Sequence, residues 1–133
     1  MIKKVFSCVL VCVLLTSIIS VALANEVMPR ADLYFDSASA FLASNKLVVF
    51  NCVTYDIYNR IEVTNVWLER QVNGSWQYVK ALTPPSYVAI NMMDYGAEVD
   101  YSAEITGSGT FRIGFTVNAD GYSITRYSNS RTF

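Results

Sequence analysis

An all-β chain, folded as a single antiparallel β-sandwich, is predicted by three features of this sequence. Apolar and polar residues alternate one for one over several stretches, turn residues interrupt them roughly every eight to twelve positions, and no helical period of useful length appears. The clearest alternation is Thr110 to Asn118, where Phe111, Ile113, Phe115 and Val117 fall on one face and Thr110, Arg112, Gly114, Thr116 and Asn118 on the other. Just before it Val99, Tyr101, Ala103 and Ile105 alternate with Glu98, Asp100, Ser102 and Glu104. The linker Gly107-Ser108-Gly109 tolerates positive φ, which predicts that the two stretches are adjacent antiparallel strands.

The first 24 residues read as a secretory signal. Lys3 and Lys4 precede an uncharged apolar run from Val5 to Ala22, and Ala22-Leu23-Ala24 supplies the small residues of a cleavage site. An uncleaved anchor is the alternative, since about 18 apolar residues approach the span of a bilayer. Residues 25–32 are expected to form a polar arm and 33–133 a single domain. Cleavage removes Lys3, Lys4, Cys8 and Cys12, takes the formal charge from −1 to −3, and leaves Cys52 as the one cysteine. No intrachain disulfide can then form, and Cys52, within Leu47 to Val53, is expected to be a small buried hydrophobe.

Within the domain, Leu33 to Ala43 is expected as one bent strand or two short ones, and Lys46 to Tyr55 as a strand buried on both faces, followed by a turn at Asp56 to Arg60. Ile61 to Leu82 is a hairpin about Asn73-Gly74. A two-residue loop sets Leu68 opposite Val79, Val66 opposite Ala81, Gln71 opposite Trp76, Glu69 opposite Tyr78 and Trp67 opposite Lys80. A bulged loop would move the pairing by one. Pro84-Pro85 ends the hairpin. Ser86 to Asn91 is expected as an edge strand, Met92 to Gly96 as a connection, Ala119-Asp120-Gly121 as a tight turn, and Tyr122 to Phe133 as the last strand. The sum is about seven to nine strands in two packed sheets of immunoglobulin or fibronectin type III character.

The stretch Gly107 to Tyr122, GSGTFRIGFTVNADGY, resembles the corner of fibronectin-like sandwiches, with Phe111 where those domains place a tyrosine. From the signal through Arg30-Ala31-Asp32, the VNGSW hairpin and the C-terminal strand pair, the sequence is similar to small secreted proteins of Gram-positive gut-type bacteria grouped as a family of unknown function. The resemblance implies a secreted single domain and supplies no activity.

The chain has no histidine, which removes Ser-His and Cys-His pairs and the commonest zinc ligand. It has no G-x-S-x-G elbow, phosphate-binding loop or calcium loop, so neither an enzyme nor a cofactor is expected. Glu98 with Asp100, or Glu62 with Glu69, could in principle serve as acid and base, and Asp94, Asp100 and Asp120 could gather round calcium. Solvent-facing strand positions and turn residues are the favoured explanation of all of them. Lys and Arg are scattered singly, which disfavours nucleic acid, and no membrane partner is expected after signal cleavage.

The surplus is aromatic, with nine Tyr and two Trp. Trp67, Trp76 and Tyr78 are expected on one hairpin face, with Tyr127 and Tyr122 as candidates to extend it. Burial of Trp67 in the core is the competing expectation. Exposed aromatics flanked by polar groups suit sugar rings and protein partners. The function expected is therefore a secreted or surface-associated, non-catalytic module that binds glycan, cell-wall polymer or protein. The alternative is a self-associating extracellular protein that pairs through an edge strand, Ser86 to Asn91 or Tyr122 to Phe133.

Overall fold

The computed structural model describes residues 33–133, so the expected signal segment 1–24 and arm 25–32 lie outside the described residues. Seven strands carry the domain: β1 (Phe35–Leu42), β2 (Leu47–Val72), β3 (Ser75–Leu82), β4 (Ala89–Asp100), β5 (Thr110–Ala119), β6 (Tyr122–Tyr127) and β7 (Arg131–Thr132). All pairings are antiparallel and belong to one curled sheet. Among the described residues there is no α-helix.

The sheet is organised by β2, whose 26 residues replace the two strands and intervening turn expected of Lys46 to Val72. Its first half pairs with β1 and with Asp94 to Asp100 of β4, and its second half pairs with β3, β5 and Ala89 to Met92. Along β2 the buried residues change parity, from Val48, Phe50, Cys52 and Thr54 to Ile61 and Val63, then to Val66 and Leu68. Each change coincides with a break in register, between Val53 and Tyr58 against β4 and between Val63 and Asn65 against β5. Extra residues at a bulge bend and twist a strand, so one strand can serve both halves of a core.

No turn forms at Asp56 to Arg60, because distant groups take the backbone that a turn would use. The Asp120 carboxylate accepts the Asn59 and Arg60 amides at 2.9 and 3.0 Å, and the Asp120 amide donates to the Arg60 carbonyl at 3.2 Å. Asp120 and Gly121 both have positive φ, as a two-residue hairpin loop requires. The expected turn at 119–121 thus also clasps the bend in β2.

The strand before β5 differs from expectation in extent and in partner. It runs from Ala89 to Asp100, so Met92 to Gly96 is strand rather than connection and residues 86–88 are not strand. It pairs with β2 and not with β5. Residues 101–105 make a turn instead of continuing the alternation, with the Glu104 and Ile105 amides both donating to the Tyr101 carbonyl. Tyr101 and Ile105 are buried while Ala103 is exposed, so the apolar spacing here is that of one helical turn. The last strand is also broken. β6 and β7 flank Ser128, whose hydroxyl accepts the Ile113 amide at 2.8 Å while its own amide donates to the Ile113 carbonyl.

Phe50 of β2 meets Phe115 of β5 edge to face at 5.4 Å, which joins the two halves of the core. Tyr101 is buried in the same core, and its hydroxyl donates to the Thr83 carbonyl at 2.7 Å. Phe111 is buried and supplies no hydroxyl. The curl is tied at its margin by Asn129, which accepts from the Leu42 amide at 2.8 Å and donates to the Leu42 carbonyl at 3.1 Å. Arg131 donates to that same carbonyl at 3.0 Å.

Candidate functional site

The hairpin of β2 and β3 turns at Asn73-Gly74, both at positive φ, and the expected register holds for Gln71 opposite Trp76 and Glu69 opposite Tyr78. Val79 then bulges out. Beyond it Leu68 faces Lys80, Trp67 faces Ala81 and Val66 faces Leu82. The correction has a simple cause: the bulge turns Leu82 inward with Val66 and Leu68, where it is buried, and leaves Val79 half-exposed. Lys80 consequently leaves the aromatic face to which the sequence assigned it.

On the solvent side of the sheet, Trp67 and Glu69 of β2 lie beside Trp76 and Tyr78 of β3, Arg112 and Gly114 of β5, and Tyr127 of β6. All four predicted residues, Trp67, Trp76, Tyr78 and Tyr127, are therefore on one face. Trp67 is outside the core, against the expectation of a buried tryptophan, because its neighbours Val66 and Leu68 take the inward positions. Its indole covers Gly114, where an added Cβ would stand 2.2 Å from the ring. Only a glycine lets the ring lie so close to the strand. The Trp67 edge meets Tyr127 at 6.0 Å with planes at 89°.

The centre of the face is Arg112. Its guanidinium lies 4.5 Å from the Trp76 ring centroid and 3.9 Å from that of Tyr127, and its Nε donates to Glu69 Oε2 at 2.5 Å. Both charged side chains are largely covered, at 23% and 13% exposure for Arg112 and Glu69. A planar cation held between two aromatic faces and fixed by a carboxylate loses little more freedom on binding a ligand. Tyr78, 64% exposed, and Tyr127, 46% exposed, present ring surface and a hydroxyl outward. Arg112 and Gly114 carry no motif signal, since in the sequence they are the water-facing half of an alternating strand. Tyr122 does not join this face: it stacks on Tyr34 at 3.7 Å.

Three of the four carboxylates considered as acid and base, Glu62, Glu69 and Asp100, are engaged by neighbouring groups. Glu69 is bound to Arg112. Arg60 donates to Glu62 at 2.8 Å and holds its carboxyl below the usual range, and the side chain and amide of Ser102 do the same for Asp100. A general acid near neutral pH needs the opposite shift. Asp120 is committed to the Asn59 and Arg60 amides, and among the described residues no group of acidic or cysteine side chains is placed to hold a metal. Glu98 and Asp100 border a cleft of about 480 Å³ with Thr83, Pro84, Pro85 and Tyr87. Cys52 is buried, and burial pushes its thiol up to about 11, so it stays protonated. Compared with protein-family models, curated proteins and solved structures, the chain matches none of them.

Proposed function

We propose that the protein is a secreted, non-catalytic binding module, and that Trp67, Trp76, Tyr78 and Tyr127 recognise the sugar rings of a glycan or cell-wall polymer. The observation that carries the reading is Arg112 fixed between Trp76 and Tyr127 by Glu69, with ring faces and hydroxyls beside it. Sugars offer an apolar C–H face that stacks on aromatic rings, and hydroxyls that bond to guanidinium, carboxylate and phenol groups. A rigid sheet surface presents both at fixed spacing. In this reading the curled sheet is a sandwich of immunoglobulin or fibronectin type III character, used as scaffold, and the likeness to secreted Gram-positive proteins fits an extracellular polymer as target.

The test is retention of the purified protein on insoluble polysaccharides and peptidoglycan, with Trp76→Ala and Tyr78→Ala alongside and folding checked by circular dichroism. Wild-type retention that either variant loses supports the reading. No retention on any matrix, or retention unchanged in both variants, contradicts it.

A second reading, self-association or a protein partner, is favoured by a separate observation. Tyr55, Ile57, Ile90, Met92 and Met93 are all exposed where β2 and β4 part, and exposed apolar groups gathered in one place mark protein contacts. Sedimentation over a range of concentrations distinguishes it.

A further inference from the structure

Tyr34, just before β1, and Tyr122, at the start of β6, are 88 positions apart in the chain, and their rings stack at 3.7 Å between centroids and 13° between planes. Tyr58 of β2 stands edge-on to Tyr122 at 6.2 Å. Such a pair fits a particular chemistry, because an oxidised phenol carries its unpaired electron partly on the ring carbons beside the hydroxyl, and two such rings in contact join there. We propose that Tyr34 and Tyr122 are an oxidative cross-linking site, forming an intramolecular dityrosine when the protein meets hydrogen peroxide and a haem peroxidase.

Each phenol gives up one electron and its hydroxyl proton. The two ring carbons then bond, and each ring loses the hydrogen at the joined carbon and regains a hydroxyl proton as it becomes aromatic again. The peroxide takes the two electrons and two protons and leaves as two waters. Burial, with the Tyr122 hydroxyl beside it, holds Tyr34 above its ordinary value, so the phenol is neutral until it is oxidised. Tyr122 is 43% exposed and open to the oxidant. The bond would tie the entry of β1 to the β5–β6 turn. Among the described residues Cys52 is the free cysteine and it is buried, so a disulfide cannot serve there.

The competing pair is Tyr87 and Tyr95, at 5.5 Å and 39°, and Tyr95 is only 3% exposed. The structure therefore ranks the two pairs. The experiment treats purified protein with peroxidase and limiting peroxide, isolates the monomer, and maps its tryptic peptides by mass spectrometry. The expected product joins peptides 31–46 and 113–126, with a mass lower by two hydrogens and blue dityrosine fluorescence. Tyr122→Phe and Tyr34→Phe, each folded as judged by circular dichroism, lose it, while Tyr78→Phe keeps it. Coupling confined to peptide 81–112, coupling only between molecules, or no biaryl bond in the monomer would overturn the proposal.

Discussion

Two aromatic regions of the same sheet have been built in opposite ways. On the face made by β2, β3, β5 and β6, every exposed ring but that of Tyr78 touches a neighbour that fixes it: Trp76 and Tyr127 on Arg112, and Trp67 on Gly114 and Tyr127. Where β2 and β4 part, Tyr55, Ile57, Ile90, Met92 and Met93 are exposed among the equally exposed Asp56, Arg60, Asn91 and Asp94, and Met92 sulfur takes only a weak bond from the Tyr87 hydroxyl at 3.9 Å. The first surface is stiff and carries hydrogen-bonding groups. The second is soft, because methionine has three rotatable bonds and an adaptable shape. Stiff, polar-edged aromatics suit a ligand whose hydroxyls must be met in register, whereas a soft apolar surface suits burial against another protein.

Alkaline pH should separate the two regions most strongly. Under the β4 half lie Cys52, raised to about 11, Tyr95, raised to about 12, and Tyr101, raised further, each mainly by burial. Their protonated forms are favoured in the folded state, so the stability they contribute is intact below about pH 9 and is lost as pH rises through the folded values. Unfolding between about pH 9 and 12 is expected, followed by tyrosine ionisation and circular dichroism. Amide exchange in β1 and β4 should rise before that in β3 and β6. Uniform opening of all strands would erase the distinction.

Next in size is the loss of a binding contact. Tyr78→Ala or Trp76→Ala should cost about 2 kcal/mol of affinity, roughly thirtyfold, if the face binds as proposed. Ile57→Ala should leave retention unchanged. Arg112→Leu removes two cation–π contacts and the Glu69 bond, with an expected loss of about 2 kcal/mol in denaturant unfolding. A double-mutant cycle with Glu69→Gln should show coupling, and simple additivity would mean that the bridge holds nothing in place. Gly114→Ala forces the Trp67 indole off the strand, at about 1 kcal/mol of stability and a larger proportional loss of retention. The smallest effect is expected for Ile57→Ser, within about 0.5 kcal/mol on stability, while any concentration-dependent association should weaken.

Much of this was legible in the sequence where local chemistry and long-range pairing agree. Asn73-Gly74 and Asp120-Gly121 have φ values that few other residues accept, and both turns form where expected. Phe111, Ile113, Phe115 and Val117 alternate in sequence and all four are buried, the one further buried position between them being Gly114 under the Trp67 ring. The errors arise where a partner distant in sequence overrides a local signal. Asp56 to Arg60 has turn composition, yet Asp120, 60 positions beyond Arg60, accepts its amide and keeps it extended. Val99 to Ile105 has strand periodicity, yet Tyr101 and Ile105 turn inward together as one helical turn. The aromatic residues of the site were legible as a surplus of rings. Arg112 was not, because its role depends on which rings the pairing of β2, β3, β5 and β6 places around it.

Both tryptophans of the chain, Trp67 and Trp76, lie on the stiff face, so tryptophan emission reports on that face alone. The most direct test is to titrate the protein with soluble fragments of whichever polysaccharide or peptidoglycan retains it, and to record that emission. A saturable change in the wild type, absent in Tyr78→Ala over the same range, is the predicted result. Retention on the polymer with emission unmoved at saturation would place binding elsewhere and contradict the account.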